Sequence, residues 1–569
     1  MSKNKNRKFL MKVQLFKIFF YPLIVLFDKT GLIKYLHSPL EKAIRLLGMK
    51  KSLNAFLQYR QYCSLFRNDF TGTPNDERGT IIFPAFFGAN SNFTLFILLL
   101  AKYYSAKGYN PTIVVCNASL PICQKENIIR SRKLNPFFCY ECWNGYKEII
   151  SETGADIIFM NDLISRYSYN RIKGAFSEID KLRSYEECRD YINEDLPLGE
   201  LAYKSVLRFY LKGSPDSDAS FTGNYKKFLK STLITALAFN ELFTSRKNIR
   251  RAVIHNGTLG LEATVRYVCR QKSVPFMTYE TYMGENTIIY KKNNEVMLLD
   301  WEMEMKDYYD FHFLSENQNV EVDRFFAELR VGKHKYAVLN RTGNKAGQNP
   351  YGKYVCAFTN LNFDTAVIGK HTIFTDMEEW LVSLISYWEK TKTGINFVIR
   401  VHPAEVKMRT GTKEFMGERL KSKIKTKNII LIDSDEKANA YDLIDGMEYG
   451  LIYSSTIGLE IAYSNKVCVV AGKPFFRNKP FVLTPATQEE YFKLLDKMNE
   501  GQATFKPDSE SLARAVFYIF KVRLKELSGI KLFTLNAEKN TDFTGSEEML
   551  KSNWEFLEEF EKEFSDERF

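Results

Sequence analysis

Short, uninterrupted apolar runs recur along the chain, and each ends in a polar turn followed by a segment of helical period. TIIFPAFF at 80–87 leads through the loop GANSN into FTLFILLLAKYYSAKGYNP and then TIVVC, which reads strand, loop, helix, strand. Because these runs lack polar alternation, both faces of their sheet must be covered, as in a parallel α/β layer. The pattern returns at ADIIFM. A largely helical stretch over roughly 165–248 follows, and then RAVIHNG, TLGLEATVRYVCRQK and SVPFMTYE give strand, helix and strand.

A second series is clearer. KYVCAFTNLNFD is a strand running into a polar loop, DMEEWLVSLISYWEK a helix, and INFVIRVHPAE a strand with a polar exit. KNIILI is a strand, ANAYDLIDGM a short helix, and YGLIYSSTIGLEIAYSNKVCVVAGKP reads strand, loop, helix, strand. The predicted fold is therefore α/β, with two Rossmann-like domains side by side, and no close textual repeat relates them. The boundaries are 1–75 for a basic amphipathic helical segment, 76–335 for the first domain with its helical insertion, 336–505 for the second, and 506–569 for C-terminal helices.

Composition and charge refine this picture. With 569 residues, 45% apolar and 26% charged, the chain is globular and long enough for about two or three domains. Residues 1–67 hold fourteen Lys or Arg against Asp28 and Glu41, which equals the whole net charge of +12. The body is thus neutral, which argues against nucleic-acid binding and for a basic appendage. In KNKNRKFLMKVQLFKIFFYPLIVLF, Lys5, Lys8 and Lys12 share a helical face while Phe9, Val13, Phe16 and Phe20 lie elsewhere. Its longest apolar run, Ile18–Phe27, is too short to span a bilayer and no small-residue cleavage site follows. An interfacial helix on an anionic membrane surface, with the protein peripheral to it, is the expectation, and docking of the same residues on the enzyme or a partner is the alternative.

In open parallel sheets, ligands gather outside the carboxyl ends of the strands. That rule selects GANSN with Gly88, the HNG turn with Asn256 and Gly257, the loop after TYE with Glu280 and Glu285, TNLNFD with Asn360, Asn362 and Asp364, and HPAE with SSTIGLE. Ser454, Ser455 and Thr456 precede a short helix and offer hydroxyls and amides to a phosphate. A single cap would need only one of them. Gly458 permits close approach, and Glu460, one turn on, reaches a sugar hydroxyl or simply faces solvent. His402 ends its strand before Pro403 and can donate to a phosphate, with Arg400 or Glu405 fixing its position. Glu280 ranks slightly ahead of Glu285 as a base for an acceptor hydroxyl, the alternative being that both serve only binding or loop structure. Asn362 and Asp364 are substrate contacts or turn formers.

No HExxH or oxygen cage marks a catalytic metal, so no metal site is assigned. GxGxxG and GxxxxGK[ST] are both missing, which removes the usual dinucleotide and P-loop readings. Cys116, Cys123, Cys139 and Cys142 have spacing that permits a structural zinc, but no finger pattern surrounds them and buried free thiols are preferred. No feature sets an oligomeric state.

TNLNFDTA at 359–366, IRVHPAE at 399–405 and YSSTIGLEIAYSNKVCVVAGKP at 453–474, with IHNG and VPFMTYE more loosely, resemble the bacterial capsule-polysaccharide biosynthesis proteins, which are GT-B-like glycosyltransferases. The resemblance covers most of residues 250–480. It implies a GT-B arrangement of the two domains, a nucleotide-phosphate role for His402 and Ser454–Thr456, and a sugar-nucleotide contact for Glu460. It also implies sugar transfer from a nucleotide sugar, CMP-linked in related enzymes, to a lipid-linked surface or capsular glycan, with no cofactor required. The alternatives are a CDP-polyol phosphotransferase of teichoic-acid-like synthesis, a nucleotide-sugar epimerase and a nonenzymatic membrane scaffold. Removing residues 1–30 is expected to weaken binding to anionic-lipid vesicles in a sedimentation assay, and unchanged binding would contradict the interfacial helix.

Overall fold

The computed structural model describes Leu65 and residues 78–86, 92–116, 118–127, 150, 155–215, 218–282, 284, 286–297, 313–331, 350–391, 394–408, 415–532 and 541–565. The basic leader, most of GANSN, Glu285, Cys139 and Cys142 lie outside the described residues. Two compact units are formed, one from within Met1–Ala118, Arg130–Phe159 and Leu527–Phe560, the other from within Ser119–Ile129, Met160–Glu526 and Glu561–Phe569. The class is the predicted one: α/β, with sheets that are mostly parallel.

In the first unit, β1 (Thr80–Ala85), β2 (Asn110–Val115) and β3 (Asp156–Phe159) pair in parallel and in that order. All residues of β1 and β2 after the first are buried, which is why the sequence shows no polar alternation there. The helix Asn92–Ala106 carries Tyr103, whose hydroxyl donates to Glu558 at 3.1 Å and whose ring meets Trp554 edge-on at 5.2 Å. A predicted C-terminal helix is thereby tied to this unit.

The second unit holds β4 (Ile249–His255) and β5 (Phe276–Thr281), which are parallel, followed by β6 (Thr287–Lys292), which turns back antiparallel on β5. The sequence reading ends this region in a loop after TYE. The β-branched run TIIYKK instead re-enters the ladder with Ile289 opposite Glu280. The expected helical stretch is present as Arg166–Lys181, Tyr185–Arg189, Leu198–Tyr210 and the 27-residue Ala219–Ser245.

Five parallel strands complete this unit: β7 (Tyr354–Phe358), β8 (Asn396–Arg400), β9 (Ile429–Ile432), β10 (Tyr449–Ile452) and β11 (Val467–Val470). Their order is β11-β10-β7-β8-β9. The chain therefore winds outward from β7 to β9, crosses back, and winds the other way through β10, so the switch point lies between β7 and β10. Finally β12 (Lys525–Glu526) adds antiparallel to β6.

Both faces of the five-stranded sheet are covered. Tyr354, Cys356 and Phe358 of β7 join one core cluster, while Val355 and Ala357 join the other. The helix Met377–Lys390 covers the second face because Met377, Trp380, Leu381, Leu384, Ile385 and Trp388 recur at helical spacing and are all buried. Asp376 caps it by accepting from the Glu379 amide at 2.8 Å. Trp388 stacks on Phe397 at 4.4 Å, and its indole N–H donates to the Ile395 carbonyl. Trp388→Ala is expected to lower unfolding stability by roughly 3–5 kcal/mol, read in a urea titration as a smaller midpoint with little change in slope.

Candidate functional site

A parallel sheet with covered faces leaves its strand exits for polar chemistry, and at a switch point the loops diverge to open a crevice. Here the exit of β7, Thr359 to Asp364, is flanked on one side by the exit of β10 and on the other by that of β8. Asn360 Oδ1 accepts from the Ser454 amide at 3.4 Å, and Ser454 Oγ donates to the Ala366 carbonyl at 2.9 Å. Across the loop, Thr359 Oγ1 accepts from the His402 amide at 2.9 Å. The hydroxyl-rich turn and the histidine are thus both bonded to one segment, Thr359 to Ala366, at the carboxyl end of the central strand.

His402 is half-buried, and its Nδ1 accepts from the Ala404 amide at 3.2 Å. That bond assigns the ring proton to Nε2. Burial pushes its pKa down to about 4, opposed by Asp364 and aided by Arg400. At neutral pH the side chain is therefore a neutral N–H donor with a set direction.

The other predicted residues divide by what they touch. Ser455 Oγ accepts from the Ile457 amide at 3.5 Å, and Thr456 makes no side-chain cap to its helix. Asp364 Oδ1 accepts from the Ala366 amide at 3.0 Å, the turn-forming role open to it from sequence. It also lies close enough to Tyr282 to raise that phenol, after burial, the larger cause. Asn362 packs over Gly213, where any β-carbon would overlap its amide oxygen.

Several residues are engaged as supports. Arg400 directs its guanidinium to the Asp433 carbonyl at 2.6 Å and the Ala438 carbonyl at 3.5 Å, holding the loop after β9. Glu405 is buried, with its amide on the His402 carbonyl at 3.1 Å. A β-carbon on Gly458 would stand 2.6 Å from Ile452 Cδ1 and 2.9 Å from Phe476 Cζ, so this glycine serves helix packing rather than ligand approach. Glu460 does not face solvent: its Oε2 is closed off, and burial raises the carboxyl to about 7.

At the β4 and β5 exits, Glu280 accepts from Asn256 Nδ2 at 2.7 Å and from the Thr281 amide and hydroxyl at 2.9 and 3.1 Å. His255 Nε2 stands 3.4 Å away. Burial alone would raise this carboxyl, but these partners together hold it below its ordinary range. Such an ionised, saturated carboxylate is a weak base and a strong brace for the Asn256–Gly257 turn. The turn needs bracing: Asn256 has φ +56° and Gly257 φ +76°, and a β-carbon on Gly257 would press 2.6 Å from Thr278 Cγ2.

Sequence reasoning passed over His255, Glu262, Lys204 and Lys370. Lys204 pairs with the buried Glu295 at 3.4 Å, and Lys370 Nζ donates to the Met297 carbonyl at 2.5 Å. Burial lowers Lys370 to about 8, opposed by Glu295 and reinforced by Lys204, Lys473 and Lys291. These lysines come from separate elements, so no local pattern announces them. A cavity of 290 Å³ opens beside them, lined among others by Tyr203, Lys204, Ile368, Gly369 and His371. Cys116 and Cys123 are half-buried, and no group of three or more His, Cys, Asp or Glu placed to hold a metal occurs among the described residues.

No protein-family model and no curated protein matches the chain. Solved structures similar to the chain include the KpsC β-Kdo 2,4 transferase of Thermosulfurimonas dismutans, at 12% identity and TM-score 0.33 over 53% of this chain and 88% of that one. The KpsC β-Kdo 2,7 transferase of the same organism is 14% identical, with TM-score 0.33 over 56% and 89%. The UDP-GlcNAc 2-epimerase of Methanocaldococcus jannaschii, in complex with UDP-GlcNAc and UDP, is 10% identical, with TM-score 0.24 over 77% and 98%. At these values no residue role passes from them to this chain.

The depressed His402 pKa has a consequence for stability. Unfolded, the imidazole binds a proton below about pH 6.5; folded, it refuses one until about pH 4. Stability from this group is therefore present above pH 6.5 and lost as pH falls toward 4. Urea unfolding at pH 7, 5.5 and 4.5 is expected to show a shallower acid decline in His402→Gln than in the unsubstituted chain.

Proposed function

We propose that the chain is a glycosyltransferase that moves a sugar from a nucleotide sugar to a hydroxyl of a lipid-linked surface or capsular glycan. On this reading residues 336–505 form the donor side and 76–335 the acceptor side of a GT-B arrangement, held at the cytoplasmic face of the membrane by the basic leader. The observation that carries it is the β7/β10 switch point, where the Ser454–Thr456 turn and His402 are both fastened to the β7 exit loop.

The departing group of such a reaction is a nucleotide phosphate, whose charge grows as the glycosidic bond to the sugar breaks. A neutral imidazole N–H fixed by the Ala404 amide donates to that oxygen without prior reorganisation. Ser455 and Thr456 and their amides supply further donors, whereas Ser454, bonded to the Ala366 carbonyl, holds the turn. The lysines around Glu295 favour an anionic donor by their excess of positive charge. The acceptor hydroxyl enters from the β4 and β5 side, where Glu280 braces the turn.

Purified protein incubated with CMP-, UDP- and GDP-linked sugars and a membrane glycan fraction should release free nucleotide and give a glycan heavier by one sugar. Release of CMP with a phosphate-linked polyol would mark the phosphotransferase instead. Interconversion of the free nucleotide sugar without acceptor would mark an epimerase, and inertness a scaffold. His402→Ala is expected to cut transfer by roughly 100-fold or more while the fold, checked by circular dichroism, persists. Full transfer by the folded variant would contradict the leaving-group role.

A further inference from the structure

One pentapeptide occurs twice with a single change, as Thr258-Leu259-Gly260-Leu261-Glu262 and as Thr456-Ile457-Gly458-Leu459-Glu460. Beyond this pentapeptide no close textual repeat relates the two domains; the fold gives these five residues the same address in each. Both copies run from the exit of a parallel strand, β4 or β10, into the first turn of a helix, Gly260–Gln271 or Ile457–Tyr463. In both, the glycine allows close packing: a β-carbon on Gly260 would stand 3.0 Å from Ser205 Oγ and 3.3 Å from the Leu201 carbonyl, as one on Gly458 would crowd Ile452 and Phe476. In both, the glutamate Oε2 is closed to solvent.

The copy after β4 is the more complete. Glu262 is 1% exposed, and its Oε1 is held by Gln124 Nε2. The Gln124 Oε1 and the Thr258 Oγ1 are likewise closed off and without a protein partner. Burial raises the Glu262 carboxyl to about 8, with Glu280 adding and Gln124 opposing. At neutral pH this is mainly a neutral acid, with one O–H to give and oxygen lone pairs to receive. A protonated carboxyl, an amide oxygen and a hydroxyl together carry no net charge. They suit neither a phosphate, which wants cations and N–H groups, nor a metal, which wants ionised oxygens. They do suit alcohol groups, which donate and accept at once.

We propose that the β4 exit is a second saccharide-hydroxyl site, built on Glu262, Gln124 and Thr258 as the counterpart of the Glu460 turn, and that it takes the acceptor sugar. Its assignment to the acceptor rests on the transferase reading; its existence as a saccharide site does not. Because Glu262 Oε2 is closed to solvent in the unliganded chain, entry of a hydroxyl requires local opening of this turn.

The test uses the full chain, saturation-transfer NMR titration with methyl glycosides of neutral hexoses and N-acetylhexosamines, and calorimetric titration with CMP, UDP and GDP. Glu262→Leu is expected to weaken glycoside binding at least tenfold. Glu262→Gln, which keeps a neutral donor and acceptor of the same shape, should hold it within about threefold. Nucleotide affinity should move less than twofold in either variant. Should Glu262→Leu fail to fold, Thr258→Val, which leaves the carboxyl in place, should still weaken glycoside binding several-fold. Unchanged glycoside affinity in the folded Leu variant, an equal fall in nucleotide affinity, or no glycoside binding by the unsubstituted chain would overturn the proposal. Glycoside binding that needs Glu262 in a chain that binds no nucleotide would sink the transferase reading and leave this site standing.

Discussion

The constraint on which the rest depends is that the five-stranded sheet is dry on both faces. Trp380, Trp388 and Tyr453 close one side, Phe358, Phe476 and Ile452 the other, and every β7 residue is buried. Backbone polar groups of the inner strands β10, β7 and β8 are consumed by the parallel ladders, so their unspent hydrogen-bonding capacity is found where the strands end. The order β11-β10-β7-β8-β9 then parts the exits of β7 and β10 and leaves His402 and the Ser454–Thr456 turn on either side of a shared loop. Site and core are consequences of one arrangement: the apolar continuity that hides the strands also concentrates the chemistry at their tips.

Much of this was legible before any coordinates, for a physical reason. A strand buried on both faces cannot alternate, and a covering helix must repeat at three and four, so YVCAF and MEEWLVSLISYWEK declare themselves through burial alone. The exits followed from the same rule. Less legible was anything depending on where side chains turn after the strand ends. In the sequence Arg400 reads as a support for His402 and Glu280 as a base, yet one grips carbonyls after β9 and the other is surrounded by donors. Gly458 reads equally as an opening for a ligand and as a packing position, and only Ile452 and Phe476 decide. The antiparallel β6 was missed because a short run after a turn carries little periodic information, and the lysines around Glu295 because they meet only in three dimensions.

Electrically, the described strand exits are quieter than their composition suggests. His402 is neutral by burial, Glu262 and Glu460 are pushed toward neutrality, and Glu280 is ionised only because His255, Asn256 and Thr281 face it. A site of mostly uncharged donors and acceptors holds its geometry at little solvation cost and meets charge only when a ligand brings it. The lysine group around Glu295 supplies the long-range attraction that neutral groups lack.

The seating of Asn362 on Gly213 joins the loop after Leu198–Tyr210 to the exit of β7 with no room for even a methyl group. Any motion that separates those two loops has to lift the amide off the glycine, because the contact is too tight to slide. The Asn362 side-chain NH₂ is consequently a built-in spectroscopic gauge: its paired proton resonances register, at a single residue, whether these two loops are together or apart.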